Sequence, residues 1–155
     1  MAKRKSWQSG SLFKVPQSDG TFSLGQVVGR EPSALNSVTC AFFDLKISEG
    51  LLPAIDWDNL IACLFTTPDL LDNGTWPVIG HSDSAIPTHF LPFEETRSQG
   101  WVGAKIHGSG IVRQFLDAYY GLAYWDDWAN PNYLDQLLIH PSKKPATLRY
   151  KNVPT

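Results

Sequence analysis

Apolar and polar residues near the start of the chain fall into three short runs, residues 12–15, 22–28 and 38–45, each bounded by turn residues. Ser18-Asp19-Gly20 separates the first two, and Asp-Gly between alternating apolar runs signals a hairpin, because glycine takes positive φ without a Cβ clash. The pattern predicts a three-stranded antiparallel meander whose inner face seeds the core. Phe22, Leu24 and Gln26 share one face of the second strand and Gly25 and Val27 the other; Gly25 marks a bulge or a close backbone approach. In the third, Cys40, Phe42 and Asp44 alternate with Ala41, Phe43 and Leu45, a run too apolar for solvent on either face. Arg30-Glu31-Pro32-Ser33 reads as the loop between these two strands.

Further along, residues 59–65 read as a buried strand, and 68–72 as a short helix capped by Thr67, begun by Pro68 and stopped by Gly74. Residues 76–80 read as a short edge strand and 101–106 as another strand. Residues 81–100 form the longest irregular stretch, hence the expected functional loop. With Ser109 as cap, Ile111, Phe115, Leu116, Ala118 and Tyr119 recur at helical spacing until Gly121. Residues 131–139 read as a last short helix capped by Asn130, with Leu134, Leu137 and Leu138 inward. The expected fold class is α+β: an N-terminal antiparallel β-meander forming a strongly bent sheet or small open barrel, with a few short helices packed on it. Residues 10–141 make one domain between a basic N-terminus (1–9) and a basic extended tail (142–155).

A chain of 155 residues can bury a sizeable core. Cys40 and Cys63 lie in apolar runs without metal-type spacing and read as small buried hydrophobes. Neither a signal-peptide pattern nor an apolar run of about 18 residues is present, which predicts a cytoplasmic protein without a membrane partner. Net charge is −2, unevenly spread: seven basic residues crowd the two ends, leaving six against all fifteen acids in residues 6–142, a net −9 there. Such an excess suits a solvated surface or an acidic face that docks a basic partner. The basic ends are too dispersed to predict nucleic-acid binding.

Candidate chemistry is sparse. His81, Asp83 and His89 share one loop, but their spacing matches no metal signature, so no metal or other cofactor is expected. His107 precedes Ser109 in HGSGI, which is not a nucleophile elbow. Asp56/Asp58, Glu94/Glu95 and Asp126/Asp127 are carboxylate pairs, and adjacency alone does not separate their pKa values. The most unusual composition is Tyr119-Tyr120-Gly121-Leu122-Ala123-Tyr124-Trp125-Asp126-Asp127-Trp128. Its Tyr124, Trp125, Asp126, Asp127 and Trp128, with Glu94 and Glu95, form the candidate partner-binding set, because rigid aromatics bury area at little entropic cost. The competing reading has these rings closing the core.

Gly10-Ser11-Leu12-Phe13 to Pro16, Asp19-Gly20 and Leu24-Gly25-Gln26-Val27 together resemble the opening of the immunity protein 26 family of bacterial polymorphic toxin systems, with Leu24 where that family has an aromatic. Phe42-Phe43-Asp44, residues 71–80 (LDNGTWPVIG) and residues 131–138 (PNYLDQLL) look like later family blocks, so the resemblance spans roughly residues 10–138. It implies a cytoplasmic protein that binds and neutralises a cognate toxin, often a nuclease, by occlusion. Some relatives carry a phosphotriesterase label, so the alternative it implies is a phosphotriester hydrolase. That alternative would use His81, Asp83 and His89; the resemblance carries over no catalytic residue.

Overall fold

The computed structural model describes residues 7–31, 37–47, 56–82 and 106–151. Six strands form one open, mixed sheet in the order β5-β1-β2-β3-β4-β6: β1 (Ser11–Pro16), β2 (Phe22–Glu31), β3 (Ser37–Lys46), β4 (Leu60–Thr66), β5 (Val78–His81) and β6 (Ile106–His107). Among the described residues, two helices, α1 (Asp69–Asp72) and α2 (Ser109–Tyr119), and three 3-10 turns complete an α+β fold. No helix among the described residues is long and apolar enough to cross a membrane.

The Asp-Gly turn joins β1 and β2 as its residues dictate. Gly20 has φ +87, and its N–H donates to the Gln17 carbonyl. Asp19 Oδ1 accepts from the Thr21 N–H and hydroxyl, an arrangement suited to a short carboxylate in a turn. Gly25 sits opposite Phe13, and close backbone approach is its role: a Cβ there would come within 2.4 Å of Phe13 Cζ. The irregularities in the β2–β3 register fall beside it, between Ser23 and Leu24 and between Val27 and Gly29. Arg30 and Glu31, expected in a loop, instead pair with Val38 and Ser37, because the long hairpin continues its ladder. Pro32 and Ser33 lie outside the described residues.

Alternation divides the core into two layers, one on each face of the sheet. Phe13, Val15, Val27, Cys40, Phe42 and Leu64 meet the apolar stripe of α2, made by Val112, Phe115, Leu116 and Tyr119. Leu12, Leu24, Ala41, Phe43 and Leu60 form the other layer, bordered by Trp57, Ile79 and Ile139. Every residue of β4 is buried. Phe13 stacks on Trp76 at 5.4 Å between ring centres, and Phe42 meets both rings edge-on. Such contacts add directionality to the area they bury.

The two helix starts differ from expectation together. The cap position of α1 is Pro68, which has no side-chain donor or acceptor, and that of α2 is Gly108. Ser109 is the first helical residue, and its N–H donates to Thr67 Oγ1 (3.0 Å). Thr67 therefore caps the longer helix, across the sheet's end, and not the short helix that follows it in sequence. α2 ends as its glycine predicts. Gly121 has φ +77, the Leu122 N–H reaches the Asp117 carbonyl, and the Gly121 N–H reaches that of Ala118, a Schellman closure.

Of the strand expected over residues 101–106, residues 101–105 lie outside the described residues; Ile106 and His107 pair with β4 in parallel. The helix expected over 131–139 is a single 3-10 turn, Leu134–Leu137, preceded by Asn130, whose Oδ1 accepts from the Asn132 N–H. It stops short because the Ile139 N–H turns away to donate to the Ile61 carbonyl of β4.

Candidate functional site

The Schellman closure redirects the chain from α2 into the aromatic-acidic segment, some of whose side chains enter the core while others stay outside. Trp125 is 1% exposed, packs against Phe115 at 5.8 Å, and donates from Nε1 to Asp135 Oδ1 at 2.7 Å. Trp128 packs against Tyr133 and the edge of the main core. Two of the aromatics expected to bind a partner thus close the core. Tyr124 is different: at 41% exposure it lies outside, with the Arg149 guanidinium 5.0 Å from its ring centre. That distance permits a cation–π attraction.

The two acids of the segment face residues from the chain's own tail. Asp126, only 8% exposed, accepts from the Lys151 N–H at 2.6 Å, and Asp127 pairs with Lys151 Nζ at 3.1 Å on the surface. Asp135, which holds the Trp125 indole, also pairs with Lys144 Nζ at 3.0 Å, and this hydrogen bond raises the Lys144 pKa. The main chain joins in: Tyr124 and Arg149 form a parallel bridge, and the Trp125 N–H donates to the Arg149 carbonyl at 2.8 Å. The structure brings Tyr124, Trp125, Asp126, Asp127 and Trp128 together with residues 144–151. Glu94 and Glu95 lie outside the described residues. The sequence pattern alone predicts the tail as a separate extended stretch. The one available signal was the run of four late cations, Lys143, Lys144, Arg149 and Lys151, downstream of the acids Asp126, Asp127 and Asp135.

A concave feature unforeseen in the sequence is a groove of about 380 Å³ lined by Asp69, Leu70, Thr75, Ser109, Arg113 and Asp117 among others. Ser109, Arg113 and Asp117 recur every four residues, so one stripe of α2 forms its wall. Asp69 Oδ1 accepts from the Thr67 hydroxyl (2.6 Å) and the Ser109 hydroxyl (2.7 Å), and these bonds hold its carboxyl below the usual range. At the far end, Asp117 Oδ1 accepts from Gln17 Nε2 (2.7 Å) and the Ser18 N–H (3.0 Å), while Arg113 Nε donates to the Pro16 carbonyl. These contacts clamp the first hairpin to α2. The polar groups that line the groove mainly serve to join its walls.

Of the residues considered for hydrolysis, only His81 falls among the described residues. His81 is exposed on the edge strand β5, where its ring lies against Gly10; Asp83 and His89 lie outside the described residues. Among the described residues, no group of three or more His, Cys, Asp or Glu side chains is placed to hold a metal ion. Ser109 donates its hydroxyl to Asp69, and His107 Nδ1 lies 3.3 Å from the Tyr133 hydroxyl, so the two do not form a nucleophile–base pair.

No family model matches the chain, and neither does any curated protein or solved structure.

Proposed function

We propose that this chain is an immunity-type protein that binds a cognate bacterial toxin and neutralises it by occlusion. The observation that best supports this reading is the division of labour between its motif residues and its outer surface. Phe13, Gly25, Val27, Phe42, Leu71, Trp76, Leu134 and Leu137 come from five separated blocks of the family resemblance. Gly25 lies beneath the Phe13 ring, and the other seven belong to one core layer. The motifs thus specify a scaffold. Recognition is left to the surface around Tyr124 and Asp127, which shares no residue with them. Tyrosine on a rigid base is among the side chains that most often dominate protein–protein affinity.

A phosphotriester hydrolase would need His81 to converge with further ligands or bases, and its position on an exposed edge strand gives that reading no support.

The test is binding to the product of any toxin-like reading frame found beside this one, measured by calorimetry and by protection of growth on co-expression. Tight binding is expected, with Tyr124→Ala weakening it by about tenfold or more and leaving thermal melting unchanged. A folded protein that neither binds nor protects would overturn the proposal.

A further inference from the structure

The contacts between the aromatic-acidic segment and the tail describe more than the way one chain closes on itself. Residues 144–151 run alongside residues 124–127 as an added strand makes its first contacts. One parallel bridge and the Trp125 N–H supply the main-chain bonds. Lys144, Arg149 and Lys151 meet Asp135, the Tyr124 ring and Asp127 in turn, and Leu148 packs against the core between them. The bonds are to backbone and charge, so they would accept any extended segment with the same pattern, K-x-x-x-L-R-x-K.

We infer that the strip formed by Tyr124, Trp125, Asp126, Asp127 and Asp135 is a receiving surface for an extended basic segment. The chain's own tail fills it, and a partner segment of like chemistry enters by displacing that tail. The identity of the partner rests on the toxin-binding reading above; the receiving geometry rests on the contacts within the chain.

Two features make displacement feasible. The first is the weakness of the strap. The Lys151–Asp127 pair is 59% and 55% exposed and the Lys144–Asp135 pair 35% and 34%, and ion pairs that reach solvent hold a segment only weakly. The strap is also bridged at a single position, so it belongs to the low-stability end of the structure. The second is the independence of the strip. Trp125 is held by Phe115 and Asp135, not by the tail alone, so the surface persists when the tail leaves. The negative central region and its own basic end thus reproduce, within one molecule, the attraction expected between an acidic protein and a basic partner.

The experiment uses the full chain and a labelled synthetic peptide with the sequence of residues 143–153, added in trans and followed by fluorescence anisotropy. The double variant Lys144→Glu/Lys151→Glu weakens the strap. It is expected to bind the peptide about tenfold more tightly than the wild type does, with affinity falling as salt rises. Adding Asp127→Lys to it is expected to remove that gain. Hydrogen exchange on the wild type supplies the second measurement: the Trp125 and Lys151 amides should exchange faster than those of β3, and faster still in high salt. Tail amides protected as strongly as β3 at all salt concentrations would overturn the inference. So would a folded double variant with a released tail that ignores the peptide. Peptide binding without toxin binding would leave the strip standing and remove the toxin reading; the reverse would remove only the strip.

Discussion

The Phe13 ring lies directly against the backbone of Gly25 on the neighbouring strand, closer than any side chain at that position would allow. The ring cannot retreat, because Trp76 stacks on it at an interplanar angle of 6° and Phe42 meets it edge-on. Gly25→Ala is therefore expected to cost about 1–3 kcal/mol in chemical denaturation, the usual penalty for overfilling a packed core. Adding Phe13→Leu should return part of that loss. If the double variant shows purely additive losses, the two positions are not coupled in this way.

Asp135 and Lys144 predict unequal effects from removing either end of one ion pair. Asp135→Ala strands the buried Trp125 indole N–H as well as the lysine, and should cost about 1–3 kcal/mol in urea denaturation. Lys144→Ala removes a partly exposed pair and a contact with the Tyr150 ring, and should cost no more than about 1 kcal/mol. Equal losses from both would show that the indole bond adds nothing.

The Thr67–Asp69–Ser109 link should be visible in the pH dependence of stability. Hydrogen bonds, that from Thr67 first, hold the Asp69 carboxyl below its ordinary value in the folded state. The contribution is thus present above the unfolded-state pKa and is lost as pH falls through the lower folded value. Denaturation midpoints of wild type and Asp69→Ala should differ at neutral pH and converge in acid. A difference that grows toward low pH would contradict the assignment.

Both thiols should be silent until the protein unfolds. Cys40 and Cys63 are free and buried, and burial pushes Cys63 up to about 12 and raises Cys40 well above its usual value. In the β3–β4 register Cys63 lies opposite Ala41, and Cys40 opposite Leu64, so the two side chains point to different faces. Two equivalents should react with a thiol reagent in denaturant and none in the native state at mildly alkaline pH. Rapid native labelling, or a disulfide between them, would contradict this placement.

Sequence pattern located the strands well because period-two alternation is local and the core layers follow it residue by residue, as with Cys40 and Phe42 against Ala41 and Phe43. It failed at Thr67 and Ser109 because a cap 42 residues distant leaves no local trace. The helix expected after Asn130 became one 3-10 turn, since a hydrogen bond from Ile139 to β4 overrides the spacing of its leucines. The partner-binding set was legible only as a composition. Which of its rings face inward depends on Asp135, ten residues past Trp125, and on a tail whose docking no periodicity announces.

The cover of one sheet face by α2 has a consequence for biosynthesis. Strands β1 to β4 are complete by Thr66, whereas α2 ends at Tyr119. At about 5–20 residues per second, the ribosome leaves Phe13, Val27, Phe42 and their neighbours without their lid for about 3–10 s. The nascent chain therefore exposes that apolar face to solvent until α2 has been made.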